Sequence, residues 1–266
     1  LEGPLELIDI DVRHDLALLR LPRNSPANRG VLHFRPASTP LTKGERIYSM
    51  GNPRDVTFAV VEGNFNGLVE RSFDPLIYYA GSINPGMSGG PVVDDDGRVV
   101  GINVSAMIFA EQMSFLVPAA NAQALLQRSA HKTQALATPV WPSITQQVLA
   151  YQNDLTQRFL AQPWRDGGHE RYKLPVPQEQ FMRCWGGNTA SESKGIKTES
   201  TRCRMEHNLF VRDSLRVGYL DFEQVSMDGN SVGPWRFAQA YSRRFGLNTA
   251  MNPGKERTAA QCKESF

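Results

Sequence analysis

One serine and one aspartate stand in local sequences that suit nucleophilic catalysis. Ser88 lies in the segment Asn-Pro-Gly-Met-Ser-Gly-Gly-Pro, residues 84–91, whose glycines allow tight turns and positive φ angles. Such a loop can direct successive backbone N–H groups at one point, as an oxyanion hole requires. Serine is a weak nucleophile that needs a base, and the base needs an acid to orient it. Asp15 is the candidate acid, because it precedes a nearly continuous apolar run at residues 16–21.

The segments that must position these residues are short and apolar, with turn signals between them. The pattern predicts a helix over residues 118–128 and strands over residues 5–10, 16–21, 45–50, 56–61, 66–70, 76–79, 91–93, 98–104 and 114–117. The Asp96-Gly97 pair predicts a hairpin turn between two of these strands. Many short strands with regularly spaced turns indicate an antiparallel sandwich or barrel.

Five segments in order resemble the trypsin-like serine proteases of the chymotrypsin fold, and most of all their HtrA branch. They are HDLALL at 14–19, MGNP at 50–53, INPGMSGGP at 83–91, GRVVGIN at 97–103 and FLVP at 115–118. The resemblance covers residues 1 to about 127. It implies a mainly β, chymotrypsin-like double β-barrel whose first barrel is incomplete in this chain. It also implies a serine endopeptidase that cleaves protein substrates through an acyl-enzyme.

The resemblance assigns roles to individual residues. Ser88 would be the nucleophile and Asp15 the acid of the triad, and Gly86, Met87 and Ser88 would form the oxyanion hole. The residues that would bind substrate are Ser82, Val104, Ser105, Ala106 and Met113. Because none of these five side chains is acidic, we expect a small or medium apolar residue before the scissile bond.

The base of the triad is not at its family position in this chain. The family has a histidine a few tens of residues before the triad aspartate, whereas fourteen residues precede Asp15. His14 is adjacent to Asp15, and adjacent side chains of a strand point to opposite faces, so His14 cannot readily serve both Asp15 and Ser88. We expect the catalytic histidine upstream of these residues, in a longer protein of which this chain is a part. The alternative is a catalytically inactive, protease-like binding module.

Composition changes near residue 129. Residues 1–128 carry a net charge of −3 (11 Lys and Arg against 14 Asp and Glu), and residues 129–266 carry +5 (18 against 13). We predict a protease domain over 1–128, a proline-containing linker over 129–142 and a small α+β accessory domain over 143–266. We expect the accessory domain to recognise substrate or a partner, or to regulate access. Its predicted elements are helices over 143–160 and 235–245 and strands over 181–185, 201–212 and 215–227.

All three cysteines lie in the second part of the chain. A disulfide between Cys184 and Cys203 would close the loop between them and leave Cys262 over; alternatively Cys262 pairs with one of them, or all three stay as thiols. A disulfide would favour a periplasmic or secreted location. No Cys-x-x-Cys or histidine spacing suits zinc, and we expect neither a metal nor a cofactor.

The expected partners are protein or peptide substrates and a protein bound through residues 143–266. The net charge of +2 does not point to nucleic acid. The sequence holds no uninterrupted apolar run of about 18 residues, the length that a membrane span needs. The arginines of the second part are read as a solvated face, with an acidic partner as the alternative. The sequence does not determine the oligomeric state.

Overall fold

The structure is a computed structural model that describes residues 5–22, 30–53, 57–106, 112–168, 173–178, 180–188, 195–205, 209–212, 215–217, 219–249 and 261. Cys262 lies outside these residues. The chain divides into two compact units. The first comprises Leu1–Arg165, Val176–Met182 and Met205–Tyr219, and the second comprises Asp166–Pro175, Arg183–Arg204 and Leu220–Phe266.

The first two strands form an antiparallel pair that carries Asp15. Strand β1 (Glu6–Asp11) and strand β2 (Leu16–Arg20) are joined by a turn at residues 12–15. The turn ends at Asp15, whose φ of 54° lies in the left-handed region. Aspartate tolerates that region better than most residues other than glycine.

Six further strands close into an antiparallel barrel. They are β3 (Arg46–Gly51), β4 (Ala59–Leu68), β5 (Ile77–Ala80), β6 (Pro91–Val93), β7 (Val99–Ala106) and β8 (Ser114–Pro118), in the spatial order β3-β4-β5-β8-β7-β6. Alternating inward side chains fill the interior, and the largest fully buried ones include Tyr79, Ile47, Met87 and Leu116. The mainly β architecture with its closed barrel confirms the predicted fold class.

Strand β4 corrects the prediction of two strands at 56–61 and 66–70. It runs without a break because residues 59–64 pair with β3 and residues 64–68 pair with β5. The polar interruption at Glu62, Gly63 and Asn64 is accommodated by this change of partner. A Cβ on Gly63 would lie 2.4 Å from the Ala80 carbonyl oxygen and 2.5 Å from the Tyr79 ring. Glycine therefore allows the strand to pass close to Tyr79.

Helix α1 (Ala119–Arg128) follows the last barrel strand, as predicted, and its end holds β1. The Ser129 hydroxyl donates to Asp9 Oδ2 at 2.6 Å, and Lys132 Nζ lies 2.8 Å from the same oxygen. Burial acts to raise the pKa of Asp9, but the hydrogen bonds from Lys132 and Ser129 outweigh it and lower the pKa to about 2. Arg128 pairs with Asp11 at 3.1 Å, so α1 fixes the β1–β2 pair through buried carboxylates.

Helix α2 (Trp141–Ala161) lies in the first unit, beyond the boundary predicted at residue 128. Its buried residues Tyr151 and Leu155 face inward. The Phe73 ring meets the rings of Tyr151 and Phe181 edge to face, at 5.5 and 5.1 Å between centroids. This aromatic cluster holds α2 beside the loop that connects β4 to β5.

Short strand pairs and a smaller sheet complete the described fold. Strands β9 (Trp164–Asp166) and β10 (Pro175–Pro177) form one pair, and β13 (Leu209–Arg212) and β14 (Leu215–Val217) another. The three-stranded sheet has the order β11-β12-β15, with β11 (Met182–Asn188), β12 (Lys197–Met205) and β15 (Asp221–Asp228). Helix α3 (Pro234–Thr249) follows it. None of the helices in the described ranges has the length and hydropathy of a transmembrane span.

Candidate active site

The loop between β5 and β6 presents Ser88 to solvent. Met87, the residue before it, is fully buried in the barrel core and anchors the loop from below. Gly86 and Gly89 have φ angles of 99° and 81°, which only glycine adopts without strain. The loop turns tightly, since the Met87 N–H donates to the Asn84 carbonyl and the Gly90 N–H to the Met87 carbonyl, both at 3.0 Å. The sequence thus folds into a fixed turn with Ser88 at its exposed tip.

Asn103 on β7 connects this loop to the barrel, a role that the sequence pattern did not predict. Its side-chain Nδ2 donates to the carbonyls of Met50 and Met87 at 3.1 Å each, and its Oδ1 accepts from the Ser49 hydroxyl at 2.9 Å. Its backbone adds bonds from the Gly89 N–H and to the Gly90 carbonyl. Asn103 is only 1% exposed. A lone asparagine inside an apolar strand segment was the signal that could have found it.

Two glycines let the Ser88 loop and the end of β3 approach closely. A Cβ on Gly90 would lie 2.0 Å from the Met50 carbonyl oxygen, and a Cβ on Gly51 would lie 2.7 Å from the Met87 Cα. Neither approach is possible with any side chain. The segments 50–53 and 83–91 therefore pack directly against each other at Gly51 and Gly90.

We expect the Asn103→Ala variant to lose about 3 kcal/mol of unfolding free energy. The substitution leaves several buried polar groups without their hydrogen-bond partner, and each such loss costs roughly 1–3 kcal/mol. Urea unfolding measures the loss. The matched control is Asn64→Ala, which removes one hydrogen bond to the Gly44 carbonyl at an exposed site. Equal losses in the two variants would contradict the anchoring role.

Asp15 lines a cavity whose wall also includes Val104, the residue that the Ser88 hydroxyl contacts. The Ser88 hydroxyl donates to the Val104 carbonyl at 3.3 Å. Val104 and Asp15 both line a cavity of about 750 Å³, whose wall is mostly apolar and includes Leu16, Val69, Phe115, Val117 and Ile144. Asp15 and Ser88 share no hydrogen bond within the described residues.

His14 belongs to a different pair. Its Nδ1 lies 3.0 Å from Asp11 Oδ2, and its backbone N–H donates to Asp11 Oδ1 at 3.2 Å. Burial acts to raise the pKa of Asp11, but the hydrogen bond and charge of His14 and the charge of Arg128 hold it below the ordinary value. Asp15 is exposed and has no ion pair within the described residues. His14 is thus engaged with Asp11.

The predicted substrate-binding residues lie at the ends of neighbouring barrel strands. Ser82 is exposed just after β5, and Met113 is half-buried just before β8. Ser105 and Ala106 pair through their backbones with β8. The buried Ser114, absent from the predicted set, donates to the Gly81 carbonyl at 2.8 Å and accepts from the Ile83 N–H at 3.2 Å. It fixes the turn that carries Ser82.

The second unit holds a disulfide between Cys184 and Cys203. This is one of the pairings that the sequence allows, and it joins the neighbouring strands β11 and β12. Cys203 is fully buried. In the ranges that the structure describes, no group of three His, Cys, Asp or Glu side chains could hold a metal ion.

Known proteins resemble the first part of this chain. Residues 2–102 match the family model of a trypsin-like peptidase domain. The DegP-like periplasmic serine endoprotease of Pseudomonas fulva is 35% identical over 115 residues, which cover 42% of this chain and 23% of that protein. The mitochondrial serine protease HTRA2 of Drosophila erecta is 32% identical over 138 residues, covering 48% and 31%. These matches confirm the resemblance to trypsin-like proteases of the HtrA branch.

A solved structure also matches, with partial coverage. The serine endoprotease from Yersinia pestis aligns with a TM-score of 0.41 and 25% identity, over 47% of this chain and 43% of that one. The chain spans less than a third of the length of the two curated relatives, at 23% and 31%.

Proposed function

We propose that these residues belong to a serine endopeptidase with an HtrA-like catalytic domain, which hydrolyses peptide bonds of protein substrates. One observation carries the proposal. Ser88 stands exposed at the tip of a loop held by a buried anchor, and its hydroxyl contacts a residue of the cavity that Asp15 also lines. The similarity of residues 2–102 to a trypsin-like peptidase domain supports the same chemistry.

The reaction proceeds in two halves. A base takes the proton of the Ser88 hydroxyl as Oγ attacks the scissile carbonyl carbon, and the protonated base then gives that proton to the leaving amine. Water, activated by the same base, attacks the acyl-enzyme and releases the acid product and the free serine. Asp15 orients the base and stabilises its charged form. The backbone N–H groups of Gly86 and Ser88 receive the negative charge on the carbonyl oxygen.

We propose that the base is a histidine upstream of these residues, where the family resemblance places it. Within the described residues, the Ser88 hydroxyl donates to the Val104 carbonyl and His14 is paired with Asp11. His33 and His131, the other histidines in the described ranges, have no hydrogen bond to Ser88. The cavity of about 750 Å³ that Asp15 lines offers space for an additional side chain beside this carboxylate.

We expect cleavage after small or medium apolar residues. The proposed pocket residues Ser82, Val104, Ser105, Ala106 and Met113 bring no carboxylate to hold Lys or Arg. A profile of cleavage sites in a peptide library measures this preference. Enrichment of alanine, valine or related residues before the scissile bond is the expected result, and dominance of basic residues at that position would contradict the pocket assignment.

The second unit has a proposed role in recognition or regulation, and its disulfide bears on the location of the protein. The second unit serves substrate or partner recognition, or regulation, and its disulfide suits an oxidising compartment such as the periplasm or the cell exterior. A DegP-like relative carries the word periplasmic in its name, whereas another is named mitochondrial.

The proposal is tested by hydrolysis of an unfolded protein substrate such as casein by the intact natural protein. We expect peptide products whose formation stops after treatment with a serine-directed fluorophosphonate. Persistent hydrolysis after full fluorophosphonate modification would contradict a serine mechanism.

A second candidate is an inactive, protease-like binding module. It is favoured by the engagement of His14 with Asp11, which leaves Ser88 without a base in the described residues. A folded intact protein that binds casein without cleaving it would support this candidate.

A further inference from the structure

Helix α2 contacts the turn that carries Asp15 through the side-chain amide of Gln147, whose oxygen and nitrogen each make a hydrogen bond to the backbone. Gln147 Oε1 accepts a hydrogen bond from the Val12 N–H at 2.9 Å, and Gln147 Nε2 donates to the Ile10 carbonyl at 3.0 Å. These bonds hold the backbone at the point where β1 ends. The contact joins residues 135 and 137 positions apart, so only the tertiary fold creates it.

Arg13, the next residue of the turn, makes a second connection to α2. Its Nε donates to Asp74 Oδ1 at 2.6 Å, and its Nη1 donates to Asp154 Oδ2 on α2 at 3.0 Å. Its guanidinium also lies over the rings of Phe73 and Tyr151, at 5.1 and 5.5 Å from their centroids. Partial burial acts to lower the pKa of Arg13, but Asp74 and Asp154 raise it above its ordinary value, so the group stays charged.

These contacts fix each residue that leads to Asp15. Val12 is held by Gln147, Arg13 by Asp74 and Asp154, and His14 by Asp11. Asp15 follows directly, in the left-handed conformation. Its own carboxylate has no hydrogen-bond partner in the described ranges, so its position is determined by the backbone before it.

We infer that helix α2 is a positioning element for the proposed triad acid, acting on Asp15 through the amide of Gln147 and the ion pairs of Arg13. The inference rests on the proposed function. Helix α2 would thus affect catalysis although it begins more than ten residues after the last barrel strand. The sequence pattern had predicted this helix as part of the accessory domain. Misplacing a catalytic group by about 1 Å can cost roughly a hundredfold in rate, so a modest shift of this turn is sufficient.

The test compares two variants on the same helix in the intact natural protein. Gln147→Ala removes both hydrogen bonds to the turn, whereas Gln146→Ala makes the identical chemical change at an exposed neighbouring position. Three quantities are measured: amide hydrogen exchange in a peptide spanning residues 10–16, the rate of fluorophosphonate labelling, and the pH dependence of that rate.

For Gln147→Ala we expect faster exchange in residues 10–16 and labelling slower by roughly tenfold to a hundredfold. We also expect the inflection of the pH profile to move to lower pH, because a base farther from the Asp15 carboxylate has a lower pKa. Simple loss of folded protein would lower labelling equally at every pH and leave the inflection in place. Gln146→Ala should match the wild type in all three quantities.

Each other outcome overturns a defined statement. Unchanged exchange in Gln147→Ala would show that α2 does not hold the turn. Faster exchange with an unchanged labelling rate and pH inflection would show that the hold has no effect on catalysis. Absence of labelling in the folded wild-type protein would overturn the proposed function itself, and the positioning role with it.

Discussion

We expect peptide-bond hydrolysis by the intact protein to fall by about 10⁶-fold when Ser88 is replaced by alanine, since the nucleophile and its base act as one unit. The structure makes this variant a clean test of chemistry. Ser88 is exposed, and within the described residues its side chain makes one long hydrogen bond, to the Val104 carbonyl. Its loop is held by Met87 and Asn103 instead, so the variant should keep the fold and its thermal midpoint.

The matched control is Ser38→Ala, an exposed serine in a turn of the first unit. It should retain full activity. The measurement is the initial rate of casein hydrolysis at equal concentrations of folded protein. A Ser88→Ala protein with more than about one per cent of wild-type activity would show that another nucleophile performs the reaction.

The second large effect concerns the acid. Replacing Asp15 with asparagine should lower the rate by about 10⁴-fold, because asparagine supports the wrong tautomer of the base and does not stabilise its charged form. Asp15 has a φ of 54°, and asparagine adopts the left-handed region as readily as aspartate. The substitution therefore removes the charge while keeping the backbone of the turn.

The control for the acid is Asp96→Asn, in the exposed hairpin turn between β6 and β7. Asp96 pairs with Arg98 at the surface, where an ion pair contributes little to stability. Rates and thermal midpoints are compared for the two variants. If Asp15→Asn kept wild-type activity while remaining folded, Asp15 would not be the triad acid.

Local sequence was sufficient for the elements whose signals are short-range. The Asp96-Gly97 pair predicted the hairpin, and Gly97 has the positive φ that this turn needs. Helix α1 also appears where its pattern predicts it. Strand β4 was divided in the prediction because local polarity at residues 62–64 resembles a break. Its continuity depends on pairing with two different neighbours, which local sequence does not encode.

The contacts that hold the candidate site in place could not be predicted from local sequence. Asn103 meets Met50 and Met87 across 53 and 16 residues of chain, so its role depends on barrel closure. The apolar periodicity of residues 143–160 correctly predicted a helix. It did not predict which part of the chain this helix packs against. Packing of Tyr151 against Phe73 placed α2 in the first unit, where Gln147 reaches the turn before Asp15.

The most direct test of the central claim is fluorophosphonate labelling of the intact natural protein, followed by mass spectrometry of its peptides. We expect one modified residue, Ser88, and no labelling of the Ser88→Ala variant or of the unfolded protein. A folded protein that takes up no label at Ser88, or that is labelled at a different serine, would contradict the assignment of this site to serine-protease chemistry.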